Sequence, residues 1–167
     1  MRWLAQQSGL VSPALAGLGY EPMLPSELQW ECAARFGGGT AKVPSPSHYP
    51  WQVEPKVFDN LANIGKKVGE VTVVGLYPQG NSPGGLSDIA GNVWEWMGHR
   101  YVGGYDPTRP LMGQKMNDEY SLRGGSCING SMNARCSYRL SYPPDSWYLD
   151  LGFRVVLSLP ISGNSGS

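Results

Sequence analysis

Hydrophobic and polar residues alternate most regularly near the end of the chain, across residues 152–159. In an extended segment, successive side chains point to opposite faces. One face of this segment carries Phe153, Val155, Leu157 and Leu159, and the other carries Arg154, Val156 and Ser158. This pattern predicts a core strand.

A second alternating run begins after Gly91-Asn92, a pair that favours a turn because both residues tolerate a left-handed backbone. In this run Trp94 and Trp96 share one face, where two tryptophans can anchor a core. The other face carries Val93, Glu95 and Met97. The Glu95 carboxylate therefore lies between apolar neighbours, and it needs a cation or several hydrogen-bond donors.

The remaining patterns predict two helices and several short strands. Ser26 is an N-cap before a helical pattern that runs to Arg35, and the glycines at 37–39 end that helix. Residues 2–7 are typical of the end of an earlier helix. Apolar runs predict a strand or an extended segment at 71–76 and a strand at 122–126, within long irregular loops. Together these elements indicate an α+β fold.

Composition and charge narrow the classes of function. The chain has 167 residues, enough for one domain with a hydrophobic core. Thirteen basic and thirteen acidic residues balance, so charge gives no reason to expect a nucleic-acid partner or a membrane surface. No apolar run is long enough for membrane insertion, and no signal peptide is recognised. The compartment is therefore open, with the cytoplasm as the default.

The three cysteines, Cys32, Cys127 and Cys136, do not have the spacing of metal ligands. We expect them to be reduced thiols, buried or half-buried. A disulfide between Cys127 and Cys136 is the alternative, because spacing alone does not decide between the two states.

Residues 127–150 form an insert between two predicted strands, and its composition is unusual. It is rich in Tyr, Trp, Ser, Asn, Leu and Asp, and it contains no Lys, Glu or Gln. Amphipathic aromatic residues together with short polar residues are typical of antibody paratopes. The alternative is that these aromatic side chains cover the core of a loop-rich domain.

Short motifs occur in order over nearly the whole chain. They are 24–35 (LPSELQWECAAR), 49–51 (YPW), 62–64 (ANI), 85–96 (GLSDIAGNVWEW), 122–126 (LRGGS) and 151–156 (LGFRVV). Together they resemble the formylglycine-generating enzyme/sulfatase-modifying-factor family. The resemblance implies a C-type-lectin-like α+β fold as a single domain over 1–160, with a disordered tail at 161–167. It also implies that the N-terminal part of the family fold is missing, so that an N-terminal segment or a partner chain completes the fold.

The resemblance also bears on catalysis. Oxidases of the family bind copper through two cysteines shortly after the GGS motif, and here those positions carry Asn129 and either Asn133 or Ala134. The non-haem-iron relatives need three histidines, and this chain has only His48 and His99. We therefore expect no enzymatic activity and no redox cofactor. A formylglycine-generating-type or related metal-dependent oxidase is the alternative.

A narrower resemblance covers residues 122–157, which look like the variable region of target proteins of diversity-generating retroelements. It implies a non-enzymatic protein that displays a hypervariable binding surface at 127–150 toward a protein or cell-surface ligand. The ligand-binding residues that it implies are Ile128, Asn129, Met132, Tyr138, Leu140, Tyr142, Asp145, Trp147, Tyr148 and Asp150.

The Glu95 carboxylate has two candidate partners, of which the family resemblance implies the first. Residues matching Asp88, Gly91, Val93 and Glu95 hold a structural calcium ion in the formylglycine-type enzymes, through oxygen ligands that suit this ion. The alternative is that Asp88 and Glu95 pair with Arg123 or Arg154.

Overall fold

The computed structural model describes residues 12–36, 48–51, 58–101, 103 and 119–159. In chain order, the helices and strands are α1 (Pro13–Gly17), β1 (Glu21–Met23), α2 (Glu27–Phe36), β2 (Trp94–Arg100), β3 (Tyr120–Arg123), β4 (Leu140–Tyr142), β5 (Leu151–Gly152) and β6 (Val156–Ser158). Short 3₁₀ helices lie at Pro78–Gly80 and Ser131–Ala134. The described residues form an α+β architecture, as the sequence predicts, with two helices, of which α2 was predicted and α1 was not. The predicted helix end at 2–7 and the tail at 161–167 fall outside the described residues.

Strand β2 lies inside a four-stranded sheet with the order β4-β3-β2-β5. It pairs antiparallel with β3 and parallel with β5, so that Glu95 lies opposite both Arg123 and Gly152. Strands β1 and β6 form a separate antiparallel pair. The run after Gly91-Asn92 is therefore the strand around which the larger sheet is built.

Helix α2 begins where the sequence predicts, and local hydrogen bonds explain why. The Ser26 hydroxyl accepts from the backbone N–H of Gln29 at 3.1 Å, and the Gln29 side chain accepts from the Ser26 N–H at 2.8 Å. This reciprocal pair is a capping box. Trp30 and Ala34 are buried, while the side of the helix that carries Cys32 is exposed. The predicted glycine stop at 37–39 lies outside the described residues.

Buried apolar residues form two clusters. The first contains Trp30, Ala34, Ile89, Met97 and Cys136, and it joins α2 to β2. The second contains Tyr49, Trp51, Ala62, Ile64, Ala90 and Ala134. Trp94 is also buried, but Trp96 is only half-buried. The expectation that both tryptophans anchor the core is therefore correct for Trp94 alone.

Two segments predicted from alternating or apolar residues are not continuous strands in the structure. The run at 71–76 forms no strand, because the Asn92 side chain binds the backbone N–H and carbonyl of Thr72 and takes the place of a neighbouring strand. Residues 152–159 split between β5 and β6. In this segment the predicted apolar face is exposed and the opposite face is half-buried. The side chains therefore alternate in burial as predicted, but the apolar side chains point to solvent and the other face points inward.

The insert at 127–150 is more ordered than a loop. It contains a 3₁₀ helix and strand β4, which pairs with β3 through Leu140 and Leu122.

No helix in the described part of the chain is long and apolar enough to cross a membrane.

Candidate functional site

The insert at 127–150 rests on a buried network of charged side chains from helix α2. Arg139 donates from Nε and Nη2 to the two oxygens of Glu27, at 2.6 and 2.8 Å. The Ser121 hydroxyl donates to the same carboxylate at 2.6 Å. Glu27 is buried, so its charge is compensated inside the protein by charge-assisted hydrogen bonds. This network ties the insert to α2 and to β3.

Arg123, on strand β3, connects the same insert to helix α2. Its side chain is completely buried, and it lies over the Trp30 ring with 5.3 Å between the guanidinium carbon and the ring centroid. The guanidinium pairs with Glu31 and donates from Nη1 to the Tyr138 carbonyl at 2.9 Å. One buried cation therefore positions both the helix and the backbone of the insert.

A second set of hydrogen bonds holds the two ends of the insert. The buried Ser126 hydroxyl lies 2.6 Å from a side-chain oxygen of Asp150 and 2.6 Å from the Asn129 side chain. Both contacts are to acceptor oxygens, Oδ1 of Asn129 and Oδ2 of Asp150, so the single hydroxyl hydrogen is shared between them. The backbone N–H of Trp94 donates to the Asp150 carbonyl at 2.8 Å. Asn129 and Asp150, two predicted ligand residues, are therefore also part of the frame.

The residues predicted to bind a ligand divide into two groups by exposure. The exposed group is Ile128, Met132, Asp145, Trp147 and Tyr148, and the half-buried group is Asn129, Tyr138, Leu140, Tyr142 and Asp150. Trp147 is 85% exposed, and the Tyr142 and Tyr148 rings lie 5.4 Å apart. The half-buried Tyr138 packs against Trp94 with 6.0 Å between ring centroids. The exposed group forms the outer face of the insert.

Leu149 belongs to this outer face although the sequence did not indicate it. Its side chain is 93% exposed, more than that of any other large apolar residue among the described ones. A leucine in a loop is normally assigned to the core, and composition therefore gave no signal. Its position directly after Trp147 and Tyr148 is the feature that could have identified it.

The Glu95 carboxylate has protein partners at both oxygens. Arg154 donates from Nε and Nη2 to Oε2 and Oε1, each at 2.6 Å, and Trp30 Nε1 donates to Oε2 at 2.7 Å. Burial by itself would lower the pKa of Arg154, but the hydrogen bonds and charge of Glu95, with the charge of Asp88, raise that pKa. The cation beside Glu95 is therefore a guanidinium.

This geometry favours the arginine alternative over the calcium alternative. Asp88 accepts from the backbone N–H of Gly75 at 2.6 Å, and Arg154 also donates to the Ser87 carbonyl at 3.2 Å. A positive guanidinium bound to both oxygens of Glu95 already compensates the charge of this carboxylate and would repel a divalent ion placed beside it. In this arrangement the residues do not fit a calcium site, and calcium at Asp88, Gly91, Val93 and Glu95 stays a prediction.

Removal of calcium tests the choice between these alternatives. We expect an excess of EDTA to shift the Tm by less than about 1 °C, because a ligand that is not bound in the folded state cannot stabilise it. Differential scanning calorimetry with EDTA and with added CaCl₂ measures the shift. A Tm that rises with calcium, and no longer does so in Asp88→Asn, would establish the calcium site instead.

Acid should weaken the network at Glu27. Burial raises the pKa of this carboxyl, but the hydrogen bonds from Arg139 and Ser121 and the charges of Arg139 and Arg123 outweigh it and hold the pKa below the ordinary 4.5. A carboxyl with a lowered pKa in the folded state stabilises the protein above its unfolded-state pKa and loses this contribution as pH falls through the folded-state pKa. We therefore expect the free energy of unfolding to decrease as the pH is lowered below about 4.5.

Urea denaturation at a series of pH values measures this dependence in the wild type and in Glu27→Gln. The variant keeps a hydrogen-bonding side chain but cannot titrate, so its free energy of unfolding should fall less steeply over the same acidic range. Equal slopes for the two proteins would show that Glu27 contributes nothing to the acid sensitivity.

Residues 2–159 match the family described as "Sulfatase-modifying factor enzyme 1-like domain". The chain belongs to this family. Among curated relatives, it is 35% identical to Hercynine oxygenase of Mycobacterium tuberculosis over 128 residues, which are 70% of this chain and 28% of that protein. It is also 35% identical over 146 residues to Inactive C-alpha-formylglycine-generating enzyme 2 of Bos taurus, covering 80% of this chain and 43% of the relative. The chain thus spans less than half the length of these relatives.

Solved structures show the same fold. Treponema denticola variable protein 1 superposes with a TM-score of 0.59 and 27% identity, over 81% of this chain and 47% of that one. PvdO from Pseudomonas aeruginosa superposes with a TM-score of 0.64 and 22% identity, over 87% and 56% of the two chains. The fold is therefore the formylglycine-generating-enzyme type of the C-type-lectin-like architecture, as the motifs imply.

The cysteines are not joined in a disulfide, but the expectation that all three are buried or half-buried is wrong for Cys32. All three are free thiols: Cys32 is exposed, and Cys127 and Cys136 are buried. Burial is the main reason that the pKa of the Cys127 thiol is raised and that the pKa of the Cys136 thiol reaches about 12, so both thiols are protonated at neutral pH. The described residues contain no group of three or more His, Cys, Asp or Glu side chains that could hold a metal ion.

Proposed function

We propose that this protein is a non-enzymatic ligand-binding protein whose binding surface is the insert at 127–150, and that it is a target protein of a diversity-generating retroelement. One observation carries the proposal: large apolar and aromatic side chains of the insert project into solvent from a backbone that buried hydrogen bonds hold in place. Trp147 and Leu149 are the most exposed large apolar residues on it.

A binding surface that is held in place by buried contacts costs less conformational entropy to order on binding. Arg123, Arg139 and Ser126 bind the insert or its ends through contacts that lie below the surface. Side chains can then vary on the outer face while the backbone keeps its conformation. A surface that is already ordered loses less conformational entropy on binding, which favours affinity. Exposed Trp and Tyr residues supply contact area with few rotatable bonds.

The comparisons support the proposal at the level of the scaffold. A solved structure that shares this fold at 27% identity is called a variable protein. A curated relative at 35% identity is called inactive. Each name describes the compared protein and not this chain. Both names are consistent with a family scaffold that serves a purpose other than catalysis.

The gene locus tests the proposal directly. We expect a nearby reverse-transcriptase gene and a template repeat that matches the codons of 127–150 except at adenine positions. The codons for the exposed group should differ from the template, and those for Ser126, Arg123 and Arg139 should not. A locus without a template repeat or a reverse transcriptase would remove the diversification claim.

Truncation of the exposed aromatics should separate binding from folding. Because their side chains make few buried contacts, Trp147→Ala and Tyr148→Ala should each change the free energy of unfolding by less than about 0.5 kcal/mol, while weakening ligand binding. Trp94→Ala is the matched control, and its buried ring should cost about 3–5 kcal/mol. Urea denaturation measures all three. A large loss of stability in Trp147→Ala would assign that ring to the core.

A metal-dependent oxidase is the second candidate, because curated relatives at 35% and 31% identity are called Hercynine oxygenase and Formylglycine-generating enzyme. Titration with copper or iron, followed by an oxygen-uptake assay, discriminates the two functions. We expect no stoichiometric binding through Cys127 or Cys136, since both thiols are buried and the described residues contain no group of three potential metal ligands. Stoichiometric metal binding that Cys127→Ser or Cys136→Ser abolishes would favour the oxidase.

A further inference from the structure

The outer face of the insert carries a negative charge that no cation compensates. The charged residues of 127–150 are Arg135, Arg139, Asp145 and Asp150. Asp145 is exposed, while the other three are half-buried, and Arg139 is bound to Glu27. Within the part of the chain that the structure describes, the Asp145 carboxylate makes no hydrogen bond and no ion pair. A partner that binds this face therefore meets an unpaired carboxylate.

This carboxylate lies at a cavity that aromatic rings also line. Residues 145–149 surround a space of about 540 Å³ that is open to solvent. Trp147 is 85% exposed and Tyr148 is 55% exposed, and the Tyr142 ring lies 5.4 Å from that of Tyr148. The faces of aromatic rings attract cations. Since none of the described residues that line the cavity is a lysine or an arginine, its rings and its carboxylate favour a cationic ligand.

The protein holds two of its own arginines with the same pair of groups. The Arg123 guanidinium lies over the Trp30 ring, 5.3 Å from the ring centroid. The Arg139 guanidinium lies over the Tyr101 ring at 4.4 Å. Each guanidinium also pairs with a glutamate of helix α2. A planar guanidinium can stack on a ring and donate two parallel hydrogen bonds to a carboxylate, which a lysine ammonium cannot do. The outer cavity offers a ring and a carboxylate without the guanidinium.

We propose that this cavity binds an arginine side chain of a protein partner, with the guanidinium stacked on Trp147 and paired with Asp145. This rests on the proposed function, since it names the chemistry of the ligand that the outer face takes. Arginine, tryptophan and tyrosine carry much of the binding energy at protein interfaces. Leu149 lines the same cavity and is 93% exposed, and a small free cation would leave it uncovered. The arginine is therefore presented by a larger, partly apolar surface.

Four peptides of the sequence acetyl-Gly-Leu-Xaa-Leu-Gly-amide test the proposal, with arginine, lysine, citrulline or glutamate as Xaa. Citrulline has nearly the shape of arginine but no charge. Two-dimensional NMR of the isotope-labelled full chain gives each Kd from the amide and indole signals of 145–149. We expect the arginine peptide to bind about fivefold more tightly than the citrulline peptide, with lysine between them and glutamate weakest. Equal affinities for arginine and citrulline, or a preference for glutamate, would overturn the proposal.

Two variants assign the preference for arginine to its residues. Asp145→Asn removes the charge, and Trp147→Leu removes the ring but keeps an apolar side chain. Both positions are exposed, so both variants should fold, and each should reduce the preference to about twofold or less. Glu21→Gln is the matched control, because it removes an exposed negative charge from strand β1 and should keep the fivefold preference. A preference that survives in Asp145→Asn or in Trp147→Leu contradicts the proposed site.

The same titrations separate a failure of this site from a failure of the proposed function. Peptides that bind at 145–149 with no preference for charge would exclude the arginine site and support the insert as a binding surface. If none of the four peptides shifts the signals of 145–149, the arginine site is excluded as well. The gene locus then decides the proposed function independently, since a template repeat does not depend on the ligand.

Discussion

Replacing Arg123 with methionine should lower the free energy of unfolding by about 3–5 kcal/mol. The Arg123 side chain is completely buried, pairs with Glu31 and donates to the Tyr138 carbonyl. Methionine fills much of the same volume but removes the donor to a carboxylate oxygen and to a backbone carbonyl. The loss therefore combines the unsatisfied Tyr138 carbonyl with weaker charge compensation of Glu27 and Glu31, which keep Arg139 and Arg35 as partners, and with the lost packing of Arg123 on Trp30.

Urea denaturation of Arg123→Met beside Lys67→Met measures this effect against a matched control. Lys67 pairs with Asp59 at the surface, where both side chains are about half exposed (59% and 49%), so its replacement should cost less than about 1 kcal/mol. If the two variants lose the same stability, the buried network does not hold the insert at 127–150 in place.

Replacing Gly91 with alanine should cost roughly 3 kcal/mol or more, since strain and steric overlap add. Gly91 has a φ of +82°, which side-chain-bearing residues rarely adopt. A Cβ atom at this position would lie 2.6 Å from the Asn63 carbonyl oxygen and 2.7 Å from a methyl carbon of Ile64. Because the nearest atom belongs to the backbone, a change of rotamer cannot relieve the contact.

Gly130→Ala is the matched control for this substitution. No atom lies within 4 Å of a Cβ built at Gly130, and its φ of −73° suits any residue. The control should therefore change the free energy of unfolding by less than about 0.5 kcal/mol, as surface substitutions usually do. Thermal and urea denaturation of both variants measure the difference. Equal stabilities would mean that the turn before β2 can relax around a side chain.

Elements with local signals could be predicted from the sequence. Helix α2 begins at a capping box, and β2 follows a Gly-Asn turn, so both depend on residues that are adjacent in the chain. The run 71–76 shows the limit of such signals. Its apolar residues are typical of a strand, but the Asn92 side chain binds the backbone of Thr72, twenty residues earlier in the chain.

The sequence predicted that the insert carries an aromatic binding surface, but it did not predict which of its residues are exposed. Composition identified 127–150 as rich in amphipathic aromatics, and Trp147 and Tyr148 are exposed. Tyr138 has the same side-chain type, yet it packs on Trp94, because strand β2 lies beneath it. Leu149 was overlooked for the opposite reason, since an apolar side chain carries no local mark of exposure.

The sequence by itself determined the family, the α+β class and the need of Glu95 for a cation, since each depends on residue types at short spacing. Only the tertiary structure showed that Arg154 binds Glu95, and that the apolar face of 153–159 points outward. Alternation gives the period of a strand, but the side that is buried depends on what packs against it. In the same way, a carboxylate requires a positive partner, and the fold determines which residue reaches it.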